Sequence, residues 1–138
     1  MTSRKLLQCL ANNVSVRSFA SIPKIDLSGI FPPIVTPFNA DESIAWDKLE
    51  QNIEKLNKEP LSGYLVHGSN GEFCYLSSEE KLDMVKMMRQ HVGQDKLLLA
   101  GSGCESTLET IRMTEAMAEA GCDAVVVITP CYYKSKYF

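Results

Sequence analysis

The chain has 138 residues, with 14 Lys+Arg against 17 Asp+Glu for a formal charge of −3, and 45% of its residues are apolar. This is an ordinary globular composition: no uninterrupted apolar stretch reaches the ~18 residues of a membrane span, and no basic excess marks a nucleic-acid surface. The length suits one domain of ordinary size, so an architecture that typically takes about 250 residues needs more chain than this.

The first 25 residues carry Arg4, Lys5, Arg17 and Lys24 and no acid before Asp26, with Leu6, Leu7, Leu10, Val14, Val16 and Phe19 scattered among small polar residues. A basic, acid-free, intermittently apolar segment predicts a mitochondrial transit peptide over 1–25 and hence mitochondrial localisation. A secretory signal would need an unbroken apolar block of about 7–15 residues, and Gln8, Asn12 and Asn13 interrupt the only candidate. A merely unstructured leader is the alternative.

From there apolar runs bounded by turn residues alternate with amphipathic segments, the pattern of repeated βα units on a parallel sheet. In chain order the reading is a strand over 29–36 (GIFPPIVT), a helix over 47–58, a strand over 63–68 (GYLVHG) and a helix over 78–92. A strand over 97–101 (LLLAG), a helix over 107–120 and a strand over 124–129 (AVVVIT) complete it. Ser77 or Ser78 caps the second helix, with Glu79 and Glu80 in its first turn, and Gly121 ends the third. The strands are continuous in apolar character, not alternating, which predicts cover on both faces of the sheet. The strand-to-strand spacing fits the βαβ unit of a doubly wound sheet or of an eightfold barrel, and both gather ligand groups at the carboxyl ends of the strands.

Three loops stand at those ends. Gly68-Ser69-Asn70-Gly71-Glu72 brackets two small polar residues with glycines; it suits either a main-chain nest for a carboxylate or phosphate, or an ordinary tight turn. Gly101-Ser102-Gly103-Cys104-Glu105-Ser106 begins like a dinucleotide fingerprint but has Ser106 where the last glycine belongs, and no acid ends the next strand. Thr129-Pro130-Cys131-Tyr132-Tyr133 offers two phenols, which suit a proton relay or simple packing. The five cysteines form no C-x-x-C pair and no zinc-ligand spacing, so no metal site and no disulfide framework is expected. His67 ends an apolar run and could reach a site; His91 closes a helix.

Pro33-Ile34-Val35-Thr36-Pro37-Phe38, Gly68 to Glu72, Ala100 to Gly103 and Thr129 to Tyr132 together resemble the ordered motifs of the dihydrodipicolinate synthase and N-acetylneuraminate lyase family of class I aldolases, over about Asp26 to Tyr133. Within it, GSNGEF, LLLAGSGCEST and TPCYY behind a basic leader most resemble the mitochondrial members that cleave 4-hydroxy-2-oxoglutarate to pyruvate and glyoxylate. The resemblance implies a truncated (β/α)8 TIM barrel with about four parallel strands and three helices. It also implies a lysine Schiff-base reaction without metal or other cofactor, a 2-oxo acid as the small-molecule partner, and a homo-oligomer, dimer or tetramer, of the full-length enzyme. Ser69 and Asn70 would bind the substrate carboxylate, Ser69 would join a hydroxyl proton relay, and Tyr132 would enter a neighbouring subunit's site.

The resemblance also puts a second relay tyrosine on the fifth strand and the Schiff-base lysine on the sixth, beyond the last strand read here. None of the lysines present substitutes: Lys48, Lys55, Lys58, Lys81 and Lys86 lie on polar helix faces, Lys96 precedes a strand, and Lys134 and Lys136 sit in a polar tail over 134–138 that departs from the family pattern. The expectation is therefore a barrel domain over 26–133 from a truncated product, inactive by itself. The alternatives are a non-catalytic form that pairs with itself or with the full-length aldolase, or another pyruvate-dependent lyase or synthase of the same family.

Overall fold

A computed structural model describes residues 25–130. All of the leader over 1–25 but Ile25, together with Tyr132, Tyr133 and the tail over 134–138, lies outside the described residues, so the transit-peptide reading and the role given to Tyr132 are not addressed by the fold.

Three βα-type units follow one another. Helix α1 (Trp46–Leu56) leads into strand β1 (Gly63–Val66), helix α2 (Ser78–His91), strand β2 (Leu97–Gly101), helix α3 (Thr107–Ala120) and strand β3 (Ala124–Val126). The strands pair in parallel in the order β1-β2-β3, with Gly63 opposite Leu97 and Leu99 opposite Ala124. The result is an open, incomplete (β/α) barrel.

Local chemistry sets the element ends. Ser77 accepts from the Glu80 N–H while the Glu80 carboxylate accepts from the Ser77 N–H, a complete capping box at the start of α2. Ser106 caps α3 more loosely, and Gly121, at φ 109°, closes it in the left-handed conformation that glycine adopts without steric cost. α1 begins after Ala45 with no side-chain cap, one residue earlier than predicted, and ends at Leu56, two residues short of the expected Lys58.

Two expectations are corrected. The segment 29–36 is not a fourth strand: it meets β1 in a single parallel bridge, Pro33 opposite Leu65, in which the Ile34 N–H donates to Leu65 O at 2.9 Å and the Leu65 N–H to Pro32 O at 3.1 Å. Pro32 and Pro33 carry no N–H, so a longer ladder cannot form there. Cover on both faces is also not found. Tyr64, Val66, Leu98 and Ala100 are fully buried against Leu49 and Ile53 of α1, Met84, Val85 and Met88 of α2, and Met113 and Met117 of α3. The alternate positions Leu65, Leu99 and Val126 are only partly buried or exposed, so among the described residues helices cover one face alone. Continuous apolar strands of a closed barrel spend their second face on the barrel interior. β1 and β3 are also shorter than predicted; β1 stops because His67 turns to φ 59°, which breaks the extended chain.

Polar ties lock the layers together. The Tyr64 hydroxyl donates to Asn57 Oδ1 at 2.7 Å, and Asn57 Nδ2 donates to His91 O at 2.8 Å, joining the ends of α1 and α2 beneath β1. Asp123 Oδ2 accepts from the Leu98 N–H at 2.7 Å and from Arg89 Nη1 at 2.9 Å, tying the start of β3 to β2 and α2.

Candidate functional site

The chain reverses after β1 through two short turns. Gly68 is extended, Ser69–Gly71 make one 3-10 turn closed by the Gly71 N–H to Gly68 O at 3.0 Å, and Glu72 at φ 55° leads into a second turn over Phe73–Tyr75. The loop is braced from the segment 29–36: the buried Thr36 hydroxyl donates to Gly71 O at 2.7 Å, and a Cβ at position 71 would stand 2.8 Å from Ile34 O. Only glycine allows that approach. Ser69 and Asn70 are both exposed, and among the described residues neither side chain has a hydrogen-bond partner. A hydroxyl and a carboxamide are thus held on a rigid base and left available to a ligand.

A cavity of about 180 Å³ opens at the carboxyl ends of the three strands, lined by Leu65 and His67 from β1 and its end, Gly68, Ser69 and Phe73 from the loop, Gly101 and Gly103 from the end of β2 and just beyond it, and Val126 and Ile128 from the end of β3 and just beyond it. The walls are mostly apolar with a few polar groups, the usual make-up of a small-molecule pocket. Ser69 therefore lines the cavity, and Asn70 sits beside it on the same turn, outside the lining. Tyr132 lies outside the described residues.

The loop after β2 is occupied with its own structure. Ser102 Oγ lies 2.7 Å from Thr114 Oγ1 on α3, the Cys104 N–H donates to Thr110 Oγ1 at 3.0 Å, and the Thr110 hydroxyl donates to Ser106 O at 3.0 Å. Its glycines give the cavity a wall with no side chain, in place of a phosphate cradle. Phe73, which sequence reading passed over, covers the cavity, with the Lys81 ammonium 5.6 Å from its ring centroid. His67 is 3% exposed, and burial first, then the Lys81 charge, push its imidazole down to about 4. No lysine among the described residues lines the cavity. Cys74, Cys104 and Cys122 are free thiols, and burial raises that of Cys122.

The profile of the Dihydrodipicolinate synthetase family matches residues 26–137. The chain belongs to that family. Among curated relatives, a 4-hydroxy-tetrahydrodipicolinate synthase of Methanothrix thermoacetophila is 40% identical over 104 residues, 75% of this chain and 35% of the relative. One from Haloarcula marismortui is 36% identical over 110 residues, 80% of this chain and 36% of the relative. Among solved structures, YagE from E. coli K12, a prophage protein of the dihydrodipicolinic acid synthase family in complex with pyruvate, superposes with a TM-score of 0.73 at 33% identity, covering 80% of this chain and 37% of YagE. Dihydrodipicolinate synthase DapA-2 from Bacillus anthracis gives 0.74 at 30%, covering 81% and 38%. This member of the family thus spans a little over a third of the length of the relatives it matches. The open sheet and the cavity at its carboxyl edge correspond to that shared portion.

Proposed function

We propose that this chain supplies the carboxylate-binding part of a 2-oxo-acid site in a Schiff-base aldolase, with pyruvate as the smallest ligand. The observation that carries the reading is the Gly68 to Glu72 loop: Ser69 lines a small, largely apolar cavity at the strand ends, Asn70 stands next to it, among the described residues both side chains are unpartnered, and Thr36 braces the turn at Gly71. The pyruvate complex of the related YagE supports the ligand class. Ser69 and Asn70 would hold the carboxylate, Ser69 would pass a proton within the relay, and Tyr132 would be offered to a neighbouring subunit of a homo-oligomer. The reaction proposed is cleavage of 4-hydroxy-2-oxoglutarate to pyruvate and glyoxylate, in mitochondria if the basic leader acts as a transit peptide.

Schiff-base chemistry needs an amine held against the oxo carbon. With no lysine lining the cavity among the described residues, that amine would come from outside them. Titration calorimetry with pyruvate tests the binding. Saturable binding to the full chain is expected, weakened about ten- to hundredfold by Ser69→Ala or Asn70→Ala, the usual effect of removing one hydrogen bond to a charged group. Wild-type affinity in both variants would contradict the assignment.

A further inference from the structure

The imidazole of His67 is the most unusual group at this cavity. It is 3% exposed, and among the described residues neither Nδ1 nor Nε2 has a hydrogen-bond partner. Buried polar side chains are nearly always paired, and each exception calls for a reason. The backbone at His67 is held at φ 59°, a conformation that costs a non-glycine residue free energy and that collects at ligand sites. Gly101 across the sheet is matched to it: a Cβ there would run into the His67 carbonyl oxygen. The residue also lines the cavity, two positions before Ser69. A core histidine that served packing alone would satisfy at least one ring nitrogen and would gain nothing from the strained turn.

We infer that His67 is a substrate-contacting residue whose ring N–H donates a hydrogen bond to an oxygen of the 2-oxo acid held by Ser69 and Asn70. This rests on the oxo-acid reading above and adds a residue to it. Burial together with the neighbouring Lys81 ammonium keeps the ring neutral near pH 7, so it has one N–H to give and one lone pair to receive. Lys81 is the charged group that acts on the ring. A neutral donor suits a ligand whose charge is already taken up by the loop, since an imidazolium in so dry a place would be costly. Leu65, Phe73 and Ile128 line the cavity with it, and apolar walls strengthen a single well-placed hydrogen bond.

The test is a pyruvate titration of the full chain labelled with 15N in its histidine rings, the His67 signals being assigned through His67→Gln. If the inference holds, the His67 ring nitrogens shift along the same isotherm as the Ser69 and Asn70 amides. His67→Leu then weakens pyruvate about three- to tenfold, and His67→Gln, which keeps a donor, stays within about twofold. The ring measurement needs no variant to fold as wild type does. Pyruvate binding that moves the loop amides but leaves the His67 ring unchanged, with His67→Leu at wild-type affinity, overturns the inference and leaves the oxo-acid site standing. No saturable effect of pyruvate anywhere removes the oxo-acid site and the His67 contact with it.

Discussion

A single buried imidazole couples the site to stability. His67 protonates near 4 in the folded chain, against 6.5 ordinarily, so the unfolded chain takes up the proton first as pH falls. The stabilisation tied to the neutral ring is complete above about 6.5 and is lost as pH falls through about 4, in total about 3 kcal/mol. Chemical denaturation at a series of pH values should show stability dropping over that window, and His67→Gln should flatten the drop. The lowered carboxyls of Asp26, Asp41 and Glu80 act below their ordinary 3.8 to 4.5, beneath most of the window. An unchanged pH slope in His67→Gln would mean that the ring is solvated. At this scale the sequence was legible where a residue announces itself by motif, as Ser69 and Asn70 do between two glycines. His67 could be suspected from its place at a strand end. Its isolation could not, because it depends on Leu65 and Phe73, from β1 and the loop after it, and on Ile128, which follows β3 some 55 residues on from Phe73. Nor could the Thr36 brace on Gly71, which spans 35 residues.

Among the elements, the junction of β2, β3 and α2 depends on one carboxylate. Asp123 takes the Leu98 N–H and the Arg89 guanidinium, and the Arg89 side chain is mostly buried, also donating to Val92 O and Gly93 O. Asp123→Ala leaves a strand N–H and a guanidinium without their acceptor and should lower the unfolding free energy by about 2 to 3 kcal/mol. Ser77→Ala, which removes half of an exposed capping box, should cost about 1 kcal/mol. Urea midpoints of the two variants check the order; a larger loss for Ser77→Ala would contradict it. Helices α2 and α3 were readable almost to the residue because their caps are written locally, in Ser77 with Glu80 and in Ser106 with Gly121. The segment 29–36 was misread as a full strand for an equally local reason: its apolar run contains Pro32 and Pro33, which leave one bridge where a ladder was expected.

For the whole molecule the decisive feature is the sheet face that helices do not cover. Val126 and Val127 are exposed at the β3 edge, and among the described residues β3 has no strand on its outer side. Apolar surface beside an unpaired edge favours association. The 138-residue chain is expected to self-associate in sedimentation velocity across a dilution series, and Val126→Lys to shift it toward monomer; a wild-type chain that stays monomeric throughout would show the face to be covered in solution. The sequence made the βα repeat legible, and continuous apolar strands implied two buried faces. It could not say that the second face belongs to a barrel interior, because in a parallel sheet both kinds of cover select the same residues.

The central claim is that a 2-oxo acid binds at the carboxyl edge of this sheet, on the loop after β1. Mapping backbone amide shifts of the full chain during titration with pyruvate tests it most directly. The account predicts saturable shifts concentrated at 67–72 and 101–103, with the leading effects at Ser69 and Asn70. Saturable shifts confined to another part of the molecule, or none at any concentration, would contradict it.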